Sequence, residues 1–195
     1  GLKLDNNWDG LNHNTETYIA HGWRANGGTT STNSSGDINT TVQVDPSGCF
    51  SIATWTGSGN SGETIGHGLS AAPSLTVIKQ TGSGTNGWNI WASGNNSGDV
   101  DSFGEWNGTS AWNQNQGSNG PFTTAPTSTL LTLTAYGQVN ASSKPYIGYF
   151  FADCEGYIKS GSYEVFPRTV SVPSPSLPTT KLPLIPTSPP KTDVP

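Results

Sequence analysis

All 25 glycines of this 195-residue chain stand at or before Gly161, and nine of its 14 prolines stand between Pro167 and Pro195. The two residue types dictate opposite things to a backbone. Glycine supplies the positive-φ positions that tight turns need, whereas proline fixes φ and removes a donor from any ladder. A chain that segregates them this sharply has one part able to fold back on itself and one part that is not. All seven tryptophans lie on the glycine side. We therefore read residues 1–166 as a single domain, within the usual size range, and 167–195 as an extended proline-rich tail.

Composition sets the fold class of the first part. Only 11% of the residues are charged, against about 25% in ordinary soluble domains. Gly, Thr, Ser and Asn crowd out the Leu, Ala, Glu and Lys from which long helices are made. All-β is the expectation. Segments rich in β-branched and aromatic residues, bounded by Gly, Asn or Pro, predict strands over 18–25, 37–44, 49–56, 74–80, 88–92, 130–136, 146–152 and 157–165. Gly/Ser/Asn clusters over 57–62, 82–87 and 94–98 read as turns. So many short strands suggest a two-sheet sandwich of jelly-roll type, which periodicity does not separate from other sandwiches. The first of these segments, YIAHGWRA over 18–25, also echoes YIGYFFAD over 146–153.

Charge excludes some functions. A net charge of −5 with eight basic residues gives no electrostatic footprint for nucleic acid. No stretch approaches the ~18 consecutive apolar residues of a membrane span. The chain opens at Gly1 with neither Met nor a charged-then-apolar leader, which we read as a processed or partial chain.

Five blocks carry a family resemblance: Tyr18-Ile-Ala-His-Gly-Trp-Arg-Ala-Asn-Gly-Gly-Thr, Gly48-Cys-Phe-Ser-Ile-Ala-Thr-Trp-Thr-Gly, Thr64-Ile-Gly-His-Gly-Leu-Ser-Ala-Ala-Pro, Thr124-Ala-Pro-Thr-Ser-Thr, and the run from Tyr149 to Tyr163. In their order, over about 15–165, they resemble an uncharacterised β-sandwich domain, often repeated, of structural and tail-fibre-like proteins of aquatic bacteriophages. The resemblance implies an extracellular or virion structural module and brings no catalytic residues with it.

Candidate chemistry is sparse. His13, His21 and His67 are far apart and form no metal-spaced cluster. Gly57-Ser-Gly-Asn-Ser-Gly62 matches a phosphate-loop pattern in letters but opens no predicted helix. Asp99, Asp101 and Glu105 form a weak Ca²⁺ candidate, and Asp153 and Glu155 flank Cys154; carboxylates two apart share a strand face. Neither group makes a convincing acid–base pair. Trp88, Trp91, Trp106 and Trp112, interleaved with Asn and Gln, fit a glycan-stacking surface, and fit sandwich core or subunit contact as well. N-glycosylation sequons stand at Asn33, Asn39, Asn95, Asn107 and Asn140. Cys49 and Cys154, with 104 residues between them, are placed to staple the two ends of the sandwich; two buried thiols on neighbouring strands are the alternative.

The tail cannot build a core, and its composition favours polyproline II or extended structure. At ~3.1 Å per residue it reaches roughly 90 Å, past a domain about 40 Å across. A disordered linker or mucin-like stalk is the simplest reading. Two patterns favour an intersubunit docking arm instead. Six of the nine prolines stand at odd positions, which leaves one edge of an extended strand mostly free to pair. Val170 and Val172, then Leu182 and Leu184, alternate on one side, with Leu177 and Ile185 adding apolar surface. Head-to-tail docking of this kind is heterologous and grows an open filament unless it closes into a ring. The expected function is therefore a non-enzymatic structural subunit of an extracellular filament, a homo-oligomer needing no cofactor. A phage tail-fibre-like or lectin-like module that binds surface glycans is the alternative.

Overall fold

In the computed structural model, residues 13, 15–20, 22–82, 86–94, 100–112 and 119–161 are described. The arm residues Val170, Val172, Leu177, Leu182, Leu184 and Ile185 lie outside them, as do His21, Asn95 and Asp99. The chain divides into units 1–162 and 163–195, and every strand among the described residues belongs to the first.

The fold is all-β. Its strands are β1 (Ser31–Asn33), β2 (Thr40–Val44), β3 (Phe50–Thr56), β4 (Thr64–Gly66), β5 (Leu75–Gln80), β6 (Asn89–Ala92), β7 (Gly104–Glu105), β8 (Leu130–Thr132) and β9 (Pro145–Phe151). One helical turn, α1 (Gly137–Asn140), precedes β9. Seven strands form an antiparallel sheet in the order β1-β2-β3-β9-β5-β6-β7, and β4 pairs with β8 in a second, two-stranded sheet. Among the described residues no helix is long and apolar enough to cross a membrane.

The centre of the large sheet is β9, which pairs with β3 along its whole length and with β5 along most of it. Its sequence, Pro-Tyr-Ile-Gly-Tyr-Phe-Phe, is apolar at both parities, the pattern of a strand covered on both faces. One face carries Tyr146 and Phe150 into the main core with Trp55, Ala53, Ile78 and Trp91. β4 and β8 lie over this face: Ile65 and Leu131 join the same cluster and are fully buried. Two side-chain bonds clamp the layers. Thr40 Oγ1 donates to the Gly66 carbonyl at 2.7 Å, and Ser51 Oγ donates to the His67 carbonyl at 2.5 Å. Gly148 makes room for this packing, because a Cβ there would sit 2.7 Å from the Phe150 ring and 3.1 Å from Trp55.

The strands expected over 49–56, 74–80, 88–92 and 146–152 form within a residue of those limits. The described residues of 18–25 form no strand and pair with no ladder; Ile19 is exposed, and Trp23 packs on rings of the sheet instead. The segment 130–136 is a strand only to Thr132, after which Thr134 Oγ1 turns to the Gly120 carbonyl at 2.7 Å. Of 157–165, the described residues make one isolated bridge, Ile158 to Cys154.

A disulfide joins Cys49, the residue before β3, to Cys154, three residues after β9. It extends the β3–β9 ladder, since the Ala152 N–H donates to the Cys49 carbonyl at 2.9 Å.

Candidate functional site

The other face of the large sheet carries the candidate site. Strand alternation and register determine its floor. Phe50 faces Phe151 across the β3–β9 ladder and Ile52 faces Tyr149, so four large side chains emerge together. Phe50 and Phe151 stack with centroids 4.7 Å apart. Trp23, from the segment before β1, meets Phe151 edge-on at 5.7 Å and Phe50 at 6.5 Å, forming one wall.

The opposite wall comes from the far end of the sheet. Trp88 stands one residue before β6 and shares the outward parity of Ile90. Its ring stacks against Tyr149 at 6.1 Å with planes 28° apart, and Lys79 Nζ lies 5.9 Å from its centroid. Trp106, one residue after β7, is held beside it: the Trp106 N–H donates to the Trp88 carbonyl at 2.9 Å, and the Trp88 N–H donates to Asn107 Oδ1 at 2.9 Å. Between the walls is an open groove of about 500 Å³, lined by Trp23, Phe50, Ile52, Trp88, Trp106, Asn107, Tyr149 and Phe151. Trp106 is 55% exposed and Trp23 48%. Burial pushes the Tyr149 phenol above its ordinary value, so it stays a neutral hydroxyl at physiological pH. The groove can stack flat or ring-shaped groups, with Asn107 as a polar contact at its rim.

Of the four tryptophans expected to form a glycan-stacking surface, Trp88 and Trp106 line the groove. Trp112 lies on the same side of the sheet over Gly104, whose Cβ would meet its ring at 3.1 Å. Trp91 belongs to the core. It is 5% exposed, and its indole N–H donates to the Val100 carbonyl at 3.1 Å. The reason is parity, since residues 88 and 91 differ by an odd number and point to opposite faces of one strand. Trp23, Phe50, Tyr149 and Phe151 were not expected here; the signal for the last three was that β3 and β9 are apolar at both parities.

None of the described histidine and carboxylate candidates lines the groove. His67 is fully buried; the Leu69 N–H donates to its Nδ1 at 3.1 Å, and Nε2 faces the Thr127 carbonyl at 3.2 Å. This network assigns a neutral imidazole with its proton on Nε2, and burial lowers its pKa, opposed by the Thr127 contact. His13 is in a local turn, with Nδ1 3.2 Å from Thr15 Oγ1. Among the described residues no group of three His, Cys, Asp or Glu could hold a metal ion. Asp101 is half-buried, Glu105 is exposed at the end of β7, and the Asp153 carboxylate lies 3.9 Å from Lys159 Nζ. Ser74 and the Ser160 N–H hold the Asp153 carboxyl below its ordinary range. Glu155 is exposed beside it.

The sequons divide by burial. Asn39 and Asn107 are exposed and Asn33 is half-buried, its Oδ1 accepting from the Ser35 N–H at 2.9 Å. Asn140 is fully buried and is no glycan acceptor in the folded protein. Its Oδ1 accepts from the Ser58 N–H at 2.9 Å and its Nδ2 donates to the Asn60 carbonyl at 2.7 Å, tying the 57–62 turn to α1.

No curated protein and no solved structure matches the chain. Residues 1–167, which include every residue of the groove, match a family described as Domain of unknown function (DUF7483), and the chain belongs to that family.

Proposed function

We propose that the chain is a non-enzymatic structural subunit of an extracellular helical filament, in which jelly-roll-like sandwich domains are strung together as residues 167–195 of each copy dock on a neighbour. The observation that carries this reading is the open aromatic groove. Half-exposed tryptophans over stacked phenylalanines make an apolar surface of the kind that marks an interaction site. The Cys49–Cys154 disulfide supports an oxidising, extracellular setting. The commitment of both His67 nitrogens to backbone groups supports a role without catalysis. Apolar residues on both faces of β3 and β9, with β4 and β8 over one of them, support the jelly-roll-like sandwich.

Deletion of 167–195 tests this. The shortened protein is expected to fold and to sediment as a monomer while the full chain forms filaments in negative stain. Normal filaments from the shortened protein contradict the reading.

A second reading is a phage-tail-fibre-like or lectin-like module that binds glycans. It is favoured by the Trp88–Tyr149 pair beside the Asn107 side chain, since aromatic faces cover the C–H-rich faces of sugars and an amide meets their hydroxyls. A glycan array probed with the full chain, and with Trp106→Ala as the control, decides it.

A further inference from the structure

We propose that the aromatic groove on the outer face of the large sheet is the seat of the proline-rich arm of a second copy, held there as a polyproline II helix. This rests on the reading of head-to-tail docking and names its place and form.

Addition of the arm as a strand is the competing form, and the sheet offers it little. Among the described residues its two edges are β1, three residues long, and β7, two residues long. Edges that short leave few unpaired ladder groups to a visiting strand. The groove offers partly exposed aromatic walls, Trp23 on one side and Trp88 and Trp106 on the other, over a floor of Phe50, Ile52, Tyr149 and Phe151. Proline-rich segments dock on surfaces of that kind, and they lose little entropy because the free segment is already extended.

The arm carries the matching period. Pro183, Pro186, Pro189 and Pro195 fall in one phase of three. A polyproline II helix has three residues per turn, so these prolines line one face, about 9 Å apart between turns. Pro186, which breaks the alternation required of a strand, falls in step here. Leu182, Leu184 and Ile185 give the same stretch apolar bulk.

Charge favours the same pairing. Residues 1–166 hold five Lys and Arg against twelve Asp and Glu, whereas 167–195 hold three against one. Lys181 and Lys191 bracket Pro183, Pro186 and Pro189, so the arm brings positive charge to a domain of net negative charge. The 34 residues from 162 to 195 lie outside the described part of the chain, and at roughly 90 Å the arm spans more than the width of its own domain.

The full chain is used throughout the test. Assembly is followed by sedimentation velocity across a dilution series in wild type, in Trp106→Ala, and in the arm variant Pro183→Ala/Pro186→Ala/Pro189→Ala. Trp106 is more than half exposed, so its removal spares the core, and the arm variant leaves residues 1–166 untouched. Both variants are expected to need at least tenfold more protein to assemble. A synthetic peptide of residues 180–191 is expected to break wild-type assemblies and to shift tryptophan emission, with no shift in Trp88→Ala.

Unchanged assembly in both variants, with no response to the peptide, overturns the inference. If deletion of 167–195 then still abolishes assembly, the arm docks elsewhere and the head-to-tail reading survives; if assembly persists, both fail. A wild-type chain that stays monomeric at every concentration, with emission altered by the arm variant, means the arm lies on its own domain and overturns docking on a second copy. An emission shift with soluble oligosaccharides and none with the peptide overturns it in favour of glycan binding.

Discussion

Trp88 stacks on Tyr149 across an intervening strand. Tyr149 lies in β9 and Trp88 leads into β6, and β5 runs between them, so their backbones are roughly 10 Å apart at the ordinary strand spacing. The two rings reach toward each other over Lys79 and join the halves of the sheet on its outer face. Trp88→Ala opens the groove on one side without touching the main core. Its expected cost is about 1–2 kcal/mol, the scale of a partly buried aromatic contact, read from urea unfolding. A loss above about 4 kcal/mol would place Trp88 in the core and remove it from the groove.

The disulfide closes a loop with a sequence separation of 105. The loop-entropy treatment gives such a closure about 4–5 kcal/mol, and measured values run lower. Cys49→Ser/Cys154→Ser is expected to lose about 2–5 kcal/mol by urea unfolding. Intact-mass measurement of unreduced protein should come out two hydrogens below the dithiol mass; two alkylatable thiols in folded protein would refute the staple.

Two glycines should respond in opposite ways to alanine. At Gly148 the new methyl meets the buried Phe150 ring, and the overpacking costs about 1–3 kcal/mol. At Gly137, in α1, nothing lies within 4 Å of the position and φ is not positive. There alanine narrows the unfolded ensemble and is expected to be neutral or to add about 0.4–1 kcal/mol. Thermal melts of both variants check the contrast, and equal effects would deny the close approach of Gly148 to the aromatic core.

Acid should act through His67 first. Its folded pKa lies below the ordinary 6.5 because the ring is buried, so the unfolded chain takes up a proton that the folded one refuses. Stability is therefore fully present above about pH 6.5 and falls as pH drops through that value, levelling off below the folded pKa. Asp37 is depressed by the Thr64 hydroxyl and N–H, and Asp153 by Ser74 and the Ser160 N–H. What they add is present above about pH 3.9 and is lost below it, as the pH falls through their folded values. NMR titration of the His67 imidazole should give a midpoint under 6.5; one above it contradicts the buried neutral ring.

Asn140 separates a sequence motif from its structural use. Its amide satisfies Ser58 and Asn60, so Asn140→Ala leaves partly buried backbone groups unpaired, at about 1–3 kcal/mol. In a glycosylating host, glycopeptide mapping should find no sugar at Asn140 in folded protein.

The long central strands were legible because β3, β5 and β9 are six or seven residues rich in β-branched and aromatic side chains. β1, β4 and β7 are two or three residues long and mostly small or polar. They pair because longer neighbours template them, and no local pattern announces that. The run 18–25 misled for a related reason: its aromatics serve a layer contact, Trp23 on Phe50 and Phe151, and no ladder. One wall of the groove was visible in the spacing of Trp88 and Trp106. The rest depended on the pairing of Ile52 with Tyr149, a contact across almost 100 residues that only the folded register creates.

The most direct test of the proposed docking between copies is photo-crosslinking in a mixture of two populations. One population is uniformly ¹⁵N-labelled and carries a benzophenone amino acid in place of Leu184; the other is unlabelled and unmodified. After co-assembly and irradiation, mass spectrometry should find labelled arm peptides joined to unlabelled peptides containing Trp88 or Trp106. Crosslinks confined to labelled pairs within one chain, or to surfaces away from the groove, would contradict the account.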